Sequence, residues 1–260
     1  MKISFSKYQA SGNDFIFIDN RNGSFNLSRA QIARLCNRKF GIGGDGLILL
    51  NSNSKFDFQM VNYNSDGGEC TMCGNGGRSI VHFARDLGIQ KEHYRFLAVD
   101  GEHEANFKTE QVDLKMSPVN GLVQTPAGIT LDTGSPHLVV FASDLLNLDV
   151  VHEGRKLRSS SLFMPLGMNV NFVEKRDDHL FIRTYERGVE DETLSCGTGA
   201  IASAMVSRLQ TSTFGKSQEV MVRCQGGELK IRFKQDSETT FSDIWLSGET
   251  KKVFEGTLSE

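Results

Sequence analysis

The chain has no apolar run long enough to cross a bilayer, no cluster of basic residues and no low-complexity stretch. The first absence excludes a helical membrane span. The second, with a formal net charge of -3, argues against nucleic acid as a partner. Cysteine is scarce and odd in number, five in 260 residues, which excludes the disulfide framework of a small secreted protein and points to reduced thiols in the cytoplasm. The N-terminus, Met1-Lys2-Ile3-Ser4-Phe5-Ser6-Lys7, alternates like a strand and lacks the pattern of a signal peptide. Phosphate-binding motifs are missing too. The run Gly41-Ile42-Gly43-Gly44-Asp45-Gly46 has no Gly-Lys-Ser/Thr after it, and Gly74-Asn75-Gly76-Gly77-Arg78-Ser79 is not G-x-G-x-x-G. No pyridoxal signature is evident. His82, His93, His103, His152 and His179 stand apart from one another, read as surface or strand residues, and offer no metal site.

What is present is mostly strand. Residues 56–60, 111–116, 179–185 and 229–233 alternate apolar and polar side chains, as half-buried strands do. Helices are few. One starts at Ser28, where Gln31 completes a capping box, and stops before Gly41. A second is expected over 76–87 with Gly88 as its cap, and a third over 199–209. The last two carry little charge, so each must be buried on most faces. With strands so abundant, the economical arrangement is α+β: two pseudo-symmetric domains, each a curved, mostly antiparallel sheet wrapped around a central helix. The Pro- and Gly-bearing segment 117–126 reads as the linker between domains 1–116 and 117–260, with the last residues packing back on the first.

Both central helices begin at a cysteine. Met72-Cys73-Gly74-Asn75-Gly76 and Ser195-Cys196-Gly197-Thr198-Gly199 are the same Cys-Gly-x-Gly turn, close to half a chain length apart. Each follows a strand and a loop, the first strand ending at Tyr63-Asn64 and the second at Glu186-Arg187. A helix N-terminus favours thiolate over thiol and attracts a bound anion. One free cysteine is usually a small buried side chain; two in matching turns point to two thiols working on one substrate. Cys36 and Cys224 lack that context and read as structural. Cys70 and Cys73 form a C-x-x-C, which keeps a thiol-redox or metal-binding protein as an alternative.

Gly12-Asn13-Asp14-Phe15, Asn64-Ser65-Asp66-Gly67, Cys73-Gly74-Asn75-Gly76, Pro136-His137, Asn169, Glu186-Arg187 and Cys196-Gly197-Thr198-Gly199 together resemble the diaminopimelate epimerase family along essentially the whole chain. The resemblance implies two similar domains with a cleft between them. It implies a cofactor-independent epimerase that interconverts LL- and meso-diaminopimelate on the lysine and peptidoglycan route. Its small-molecule amino-acid substrate is then its partner, and a homodimer is left open. Carried over, Cys73 and Cys196 would be the two catalytic bases. Backbone groups of Gly74, Asn75, Gly197 and Thr198 would hold the reacting carboxylate. Asn13, Asn64, Asn169, Glu186 and Arg187 would contact the substrate, with His137 and Ser135 in support. Two positions depart from the family's commonest pattern: Ser135 stands where Asn usually precedes Pro-His, and Gly46 where Gln is common. A racemase of another amino acid, such as proline, hydroxyproline or histidine, is the alternative within this resemblance, and Arg187 argues against a substrate without a distal carboxylate.

Overall fold

Period-two alternation governs most of this chain, and strands far outnumber helices in the computed structural model, which describes residues 2–209 and 214–259. Two compact units form: Met1–Leu114 with Gly248–Glu260, and Lys115–Ser247.

The first unit opens with a hairpin of β1 (Lys2–Ala10) and β2 (Asn13–Asp19), turned at Ser11 and Gly12, both at positive φ. Helix α1 (Arg29–Cys36) carries the chain to β3 (Gly46–Asn51), parallel to β2. Its capping box forms as expected, Ser28 and Gln31 satisfying each other's backbone N–H. Strand β4 (Phe58–Asn64) returns antiparallel, β5 (Glu69–Cys70) folds back on it, and α2 (Gly74–Asp86) leads to β6 (His93–Ala98), parallel to β4. A meander of β7 (Gly101–Lys108) and β8 (Gln111–Met116) completes the run.

The second unit repeats that order. After the short β9 (Val119–Asn120) and β10 (Leu122–Thr125) come β11 (Gly128–Asp132) and β12 (Pro136–Phe141), then α3 (Val150–Arg158) and β13 (Asn169–Lys175), parallel to β12. Strand β14 (Leu180–Glu186) is antiparallel to β13 and β15 (Asp191–Thr193) folds back on it. Helix α4 (Gly197–Ser207) then leads to β16 (Ser217–Cys224), parallel to β14, and on to β17 (Gly227–Gln235) and β18 (Thr240–Glu249). The last strand, β19 (Lys251–Ser259), belongs to the first unit and pairs antiparallel with β1.

In each unit both faces of the central strands are covered, which requires a continuous apolar run rather than alternation. Strand β2 supplies Phe15-Ile16-Phe17-Ile18. Ile16 and Ile18 pack under α1 with Ile32 and Leu35, while Phe17 meets Phe83 of α2. In the second unit Ile201 and Met205 of α4 pack among Val139, Val173, Ile182, Ile231 and Phe233, and α3 covers the opposite face through Val150, Leu138 and Tyr185. Each large side chain buried this way contributes about 1.5–3 kcal/mol. Helix α4 buries nine of its eleven residues, so its surroundings rather than its amphipathicity hold it.

Several sequence expectations need correction. Helices α2 and α4 start two residues earlier than expected, because each cysteine is itself the N-cap. Helix α3 was not anticipated: mostly charged, it buries only Val150 and Gly154 and so shows little periodicity. Segment 117–126 is not a bare linker but forms β9 and β10. The strands around Cys70 and Cys73 are mixed, since β4 and β6 run parallel. His82 is half-buried on α2 rather than on a strand or the surface, its ring against Tyr8 and Phe107 and its Nδ1 2.9 Å from Thr250 Oγ1. Among the described residues, no helix is long and apolar enough to cross a membrane.

Candidate active site

Cys73 caps α2 with an extended backbone (φ -95, ψ 137), and its side chain makes no capping hydrogen bond. The first-turn N–H groups of a helix have no partner within it, so here they face outward, ready for an anion. Gly74 and Asn75, buried, are the residues that carry them. Glycine lets side chains close in on this turn: a Cβ at Gly77 would lie 2.6 Å from Met72 Sδ, and one at Gly76 would lie 2.9 Å from Ile48 Cδ1, so either neighbour would have to shift. The Cys73 sulfur lies 3.8 Å from Asn13 Oδ1, which also accepts from Asn75 Nδ2 at 3.3 Å. Asn13 Nδ2 donates to Asp45 at 2.7 Å.

Behind these residues stands a charged set that sequence reading did not single out. Lys7, almost fully buried, pairs with Asp14 at 2.7 Å and donates to the Gly43 carbonyl; Arg38 bridges Asp14 (2.6 Å) and Asp45 (2.7 Å). Burial alone would raise the Asp14 carboxyl, but the hydrogen bonds and charges of Arg38 and Lys7 outweigh it and hold the group well below the carboxylate range. This network ties the glycine-rich loop 41–46 to the strand bearing Asn13. The side chain of Arg78, 0% exposed, donates to Asn75 Oδ1 at 2.9 Å and to Ser11 Oγ at 3.4 Å, fixing the α2 end of the site. An arginine set between the glycine turn and the apolar pair Ile80-Val81 was the available signal. Asn64 does not join this cluster; its side chain is exposed and its backbone closes the turn to Gly67 and Gly68.

Cys196 caps α4 in the same way (φ -123, ψ 108), again without a side-chain capping bond, and is 7% exposed. Its sulfur lies 3.5 Å from Thr198 Oγ1. Thr198 Oγ1 is 3.4 Å from Ser135 Oγ, and Ser135 Oγ is 3.1 Å from both His137 Nε2 and Asn169 Nδ2. Asn169 Oδ1 accepts the Arg187 backbone N–H at 2.8 Å. One network therefore gathers Cys196, Thr198, Ser135, His137, Asn169 and the Arg187 main chain. His137 is wholly buried, and burial, with the nearby Arg187 charge, pushes it down to about 3; the ring is neutral at ordinary pH. Glu186 is raised by burial, offset in part by the hydrogen bond it accepts from Thr193 at 3.0 Å. Asn171, absent from the residues that sequence reading gathered, holds His137 Nδ1 at 3.0 Å, and a Cβ at Gly199 would run into its Oδ1.

The other cysteines differ. Burial pushes the thiols of Cys36 and Cys70 up to about 11, opposite to what a reactive redox thiol needs. Among the described residues no three His, Cys, Asp or Glu side chains converge as a metal-ligand set.

Comparison with known proteins gives a consistent relationship. A family model described as diaminopimelate epimerase matches residues 5–121 and 129–253. A diaminopimelate epimerase of Flavobacterium psychrophilum is 48% identical over 255 residues, covering 97% of this chain and 98% of the relative. That of Chlorobaculum tepidum is 44% identical over 260 residues, covering 96% and 98%. Among solved structures, a phenazine biosynthesis protein of the PhzF family from Bacillus anthracis superposes with a TM-score of 0.79 at 16% identity, covering 100% of both chains. A hydroxyproline epimerase from Agrobacterium vitis gives 0.68 at 13%, covering 99% of this chain and 92% of that one. At such identities these two likenesses concern the fold alone.

Proposed function

The chain belongs to the diaminopimelate epimerase family, and from that premise we propose that it interconverts LL- and meso-diaminopimelate by proton transfer at the α-carbon, without a cofactor. The observation that carries the reading is the repeated helix start. Cys73 and Cys196 occupy the same place in the same element order, each at a glycine-rich N-terminus whose N–H donors are uncapped by the cysteine.

The chemistry follows from that pair. A thiolate removes the α-hydrogen as a proton, and the C–H electron pair passes to the α-carbon and its carboxylate. The other cysteine, a thiol, returns a proton to the opposite face. The two sulfurs exchange protonation states and the stereocentre is inverted. Charge building on the carboxylate is met by first-turn N–H groups of Gly74, Asn75, Gly197 and Thr198, donors already oriented before charge develops. Asn13, Asn64, Asn169, Glu186 and Arg187 contact the remaining polar groups of the substrate, with a fork-like guanidinium suited to the distal carboxylate. His137 and Ser135 support the Cys196 side.

The same reading gives the protein an amino-acid substrate rather than nucleic acid or a membrane, and a cytoplasmic setting that keeps its five free cysteines reduced. Whether it acts as monomer or homodimer is a matter for light scattering. The decisive experiment is incubation with LL-diaminopimelate in D₂O. Appearance of the meso form with deuterium at the inverted carbon is expected. No exchange with diaminopimelate, but exchange with proline or hydroxyproline, would replace it with a racemase of another substrate.

A further inference from the structure

Helix α3 buries few side chains, yet it lies hard against the sheet of the second unit. A Cβ at Gly154 would overlap Tyr185 Cβ, so glycine permits the approach. The helix ends at Arg158, whose side chain is 19% exposed. Its guanidinium lies against the backbone at Gly167, where φ is +60 and a Cβ would overlap Nη1. Its Nε donates to both carboxylate oxygens of Glu190, at 2.9 and 3.1 Å, and its Nη2 lies 2.7 Å from Oε1. Gly167 stands two residues before Asn169, and Glu190 three residues after Arg187. Asn169 Oδ1 accepts the Arg187 N–H at 2.8 Å, so Arg158 touches both of the segments that meet at that bond.

Glu190 closes the turn that carries Arg187. Its N–H donates to the Glu186 carbonyl at 2.8 Å. Its carboxylate accepts from the Gly188 N–H at 3.0 Å and from the hydroxyl of the buried Tyr185 at 3.2 Å. Its φ of 60 is left-handed, an angle that glycine adopts freely and an L side chain adopts at a cost. Such an angle persists where surrounding contacts over-determine it. Here those contacts belong to the carboxylate. The Arg158 guanidinium, followed by the Gly188 N–H, holds that carboxyl below the ordinary carboxylate range. With Glu190 47% exposed, the ion pair adds little to stability, whereas its two-point geometry fixes a direction.

We propose that Arg158 and Glu190 are positioning residues that clamp the Arg187 turn and thereby set the affinity for the substrate's distal carboxylate. The proposal rests on the epimerase reading for the identity of that carboxylate. Both residues act through the Arg187 main chain, which the Glu190 turn fixes from one side and Asn169 from the other. A turn ordered before substrate arrives leaves less to order on binding. The distal carboxylate takes no part in proton transfer, so it is held alike in ground and transition state. Loss of the clamp therefore belongs in KM and not in kcat.

The test pairs amide hydrogen exchange in the substrate-free protein with steady-state kinetics on diaminopimelate. Glu190→Gln keeps the shape and loses the charge. Glu190→Gly takes the same φ without strain and has no carboxylate, so it folds while lacking the clamp. In both, the amides of residues 187–190 should exchange about tenfold faster, with the thermal midpoint close to that of the parent protein. KM should rise about tenfold, with kcat within about twofold. Arg158→Met should act in the same direction, and Arg158→Lys should recover only part, because an ammonium lacks the fork that spans both oxygens. Glu228→Gln, which breaks the surface pair with Arg223, should change neither readout. Unchanged exchange or unchanged KM in Glu190→Gly overturns the proposal, as does a fall in kcat at constant KM. Exchange is read without substrate. A parent protein inactive on diaminopimelate, with variants that still loosen the turn, would count against the epimerase reading and for the clamp.

Discussion

The two units share one scaffold and differ in where they keep their polar groups. Strand pairing supplies the equivalence: Phe15 faces Gly46 across β2 and β3 as His137 faces Asn169 across β12 and β13. Counting from these pairs, Asn13 corresponds to Ser135 and Ile48 to Asn171. Counting from the cysteines, Asn75 corresponds to Thr198, Arg78 to Ile201 and Cys70 to Thr193. Arg78, buried on α2 of the first unit, stands at the position that Ile201 takes on α4, whereas the second unit buries His137 and Asn171 on strands under α4. Amides flank Cys73 and hydroxyls flank Cys196. One fold thus holds a cysteine at the same topological position in two different polar settings.

The largest effect should come from removing either member of the pair. Cys73→Ala and Cys196→Ala should each abolish epimerisation in both directions, since general acid–base groups contribute about 10²–10⁴-fold each and here act as a unit. Cys70→Ala should retain activity. A dead Cys70→Ala beside an active Cys196→Ala would break the comparison and restore the C-x-x-C reading. Next is Arg187, which has no counterpart among the residues gathered around Cys73. Arg187→Ala should cost about 2–5 kcal/mol in kcat/KM if its guanidinium pairs with the distal carboxylate. Arg85→Ala serves as control, and equal kinetics for the two would remove Arg187 from that role.

Arg78→Met asks whether the helix cation of the first unit is replaceable by an apolar residue like Ile201. Asn75 Oδ1 and Ser11 lose their donor, and urea unfolding should register a loss of about 1–3 kcal/mol. A neutral or stabilising result would mean that the two helix environments are interchangeable. The smallest effect per step of the variable is the pH dependence of the second unit. His137 is held down to about 3, below its ordinary 6.5, so the unfolded chain takes up a proton that the folded one refuses. Its contribution is complete above pH 6.5 and is lost as pH falls toward 3, at most about 1.4 kcal/mol per pH unit. His137→Gln should flatten that part of the curve. The steep decline below it, to which Asp14 of the first unit contributes, should remain.

Much of this could be read along the chain. Strand β8 matches the alternation of 111–116 to the residue, and the Ser28 capping box forms as its spacing predicts. The cysteine turns declared themselves by recurring. What escaped notice lacked a local signature. Helix α3 has too few buried positions to show a period, and the 117–126 segment looks like a linker because its two strands are short. Asp45, which no motif marked within the glycine-rich run 41–46, anchors Asn13.

The sequence by itself determined the elements and the position of both cysteines at helix starts, because capping and alternation act between residues a few places apart. Only the tertiary structure decided what each sulfur faces. Asn13 meets Asp45 across 32 residues, His137 meets Asn171 across 34, and Ser135 meets Thr198 across 63. Those meetings depend on strand register and on how closely a glycine-lined helix approaches its sheet.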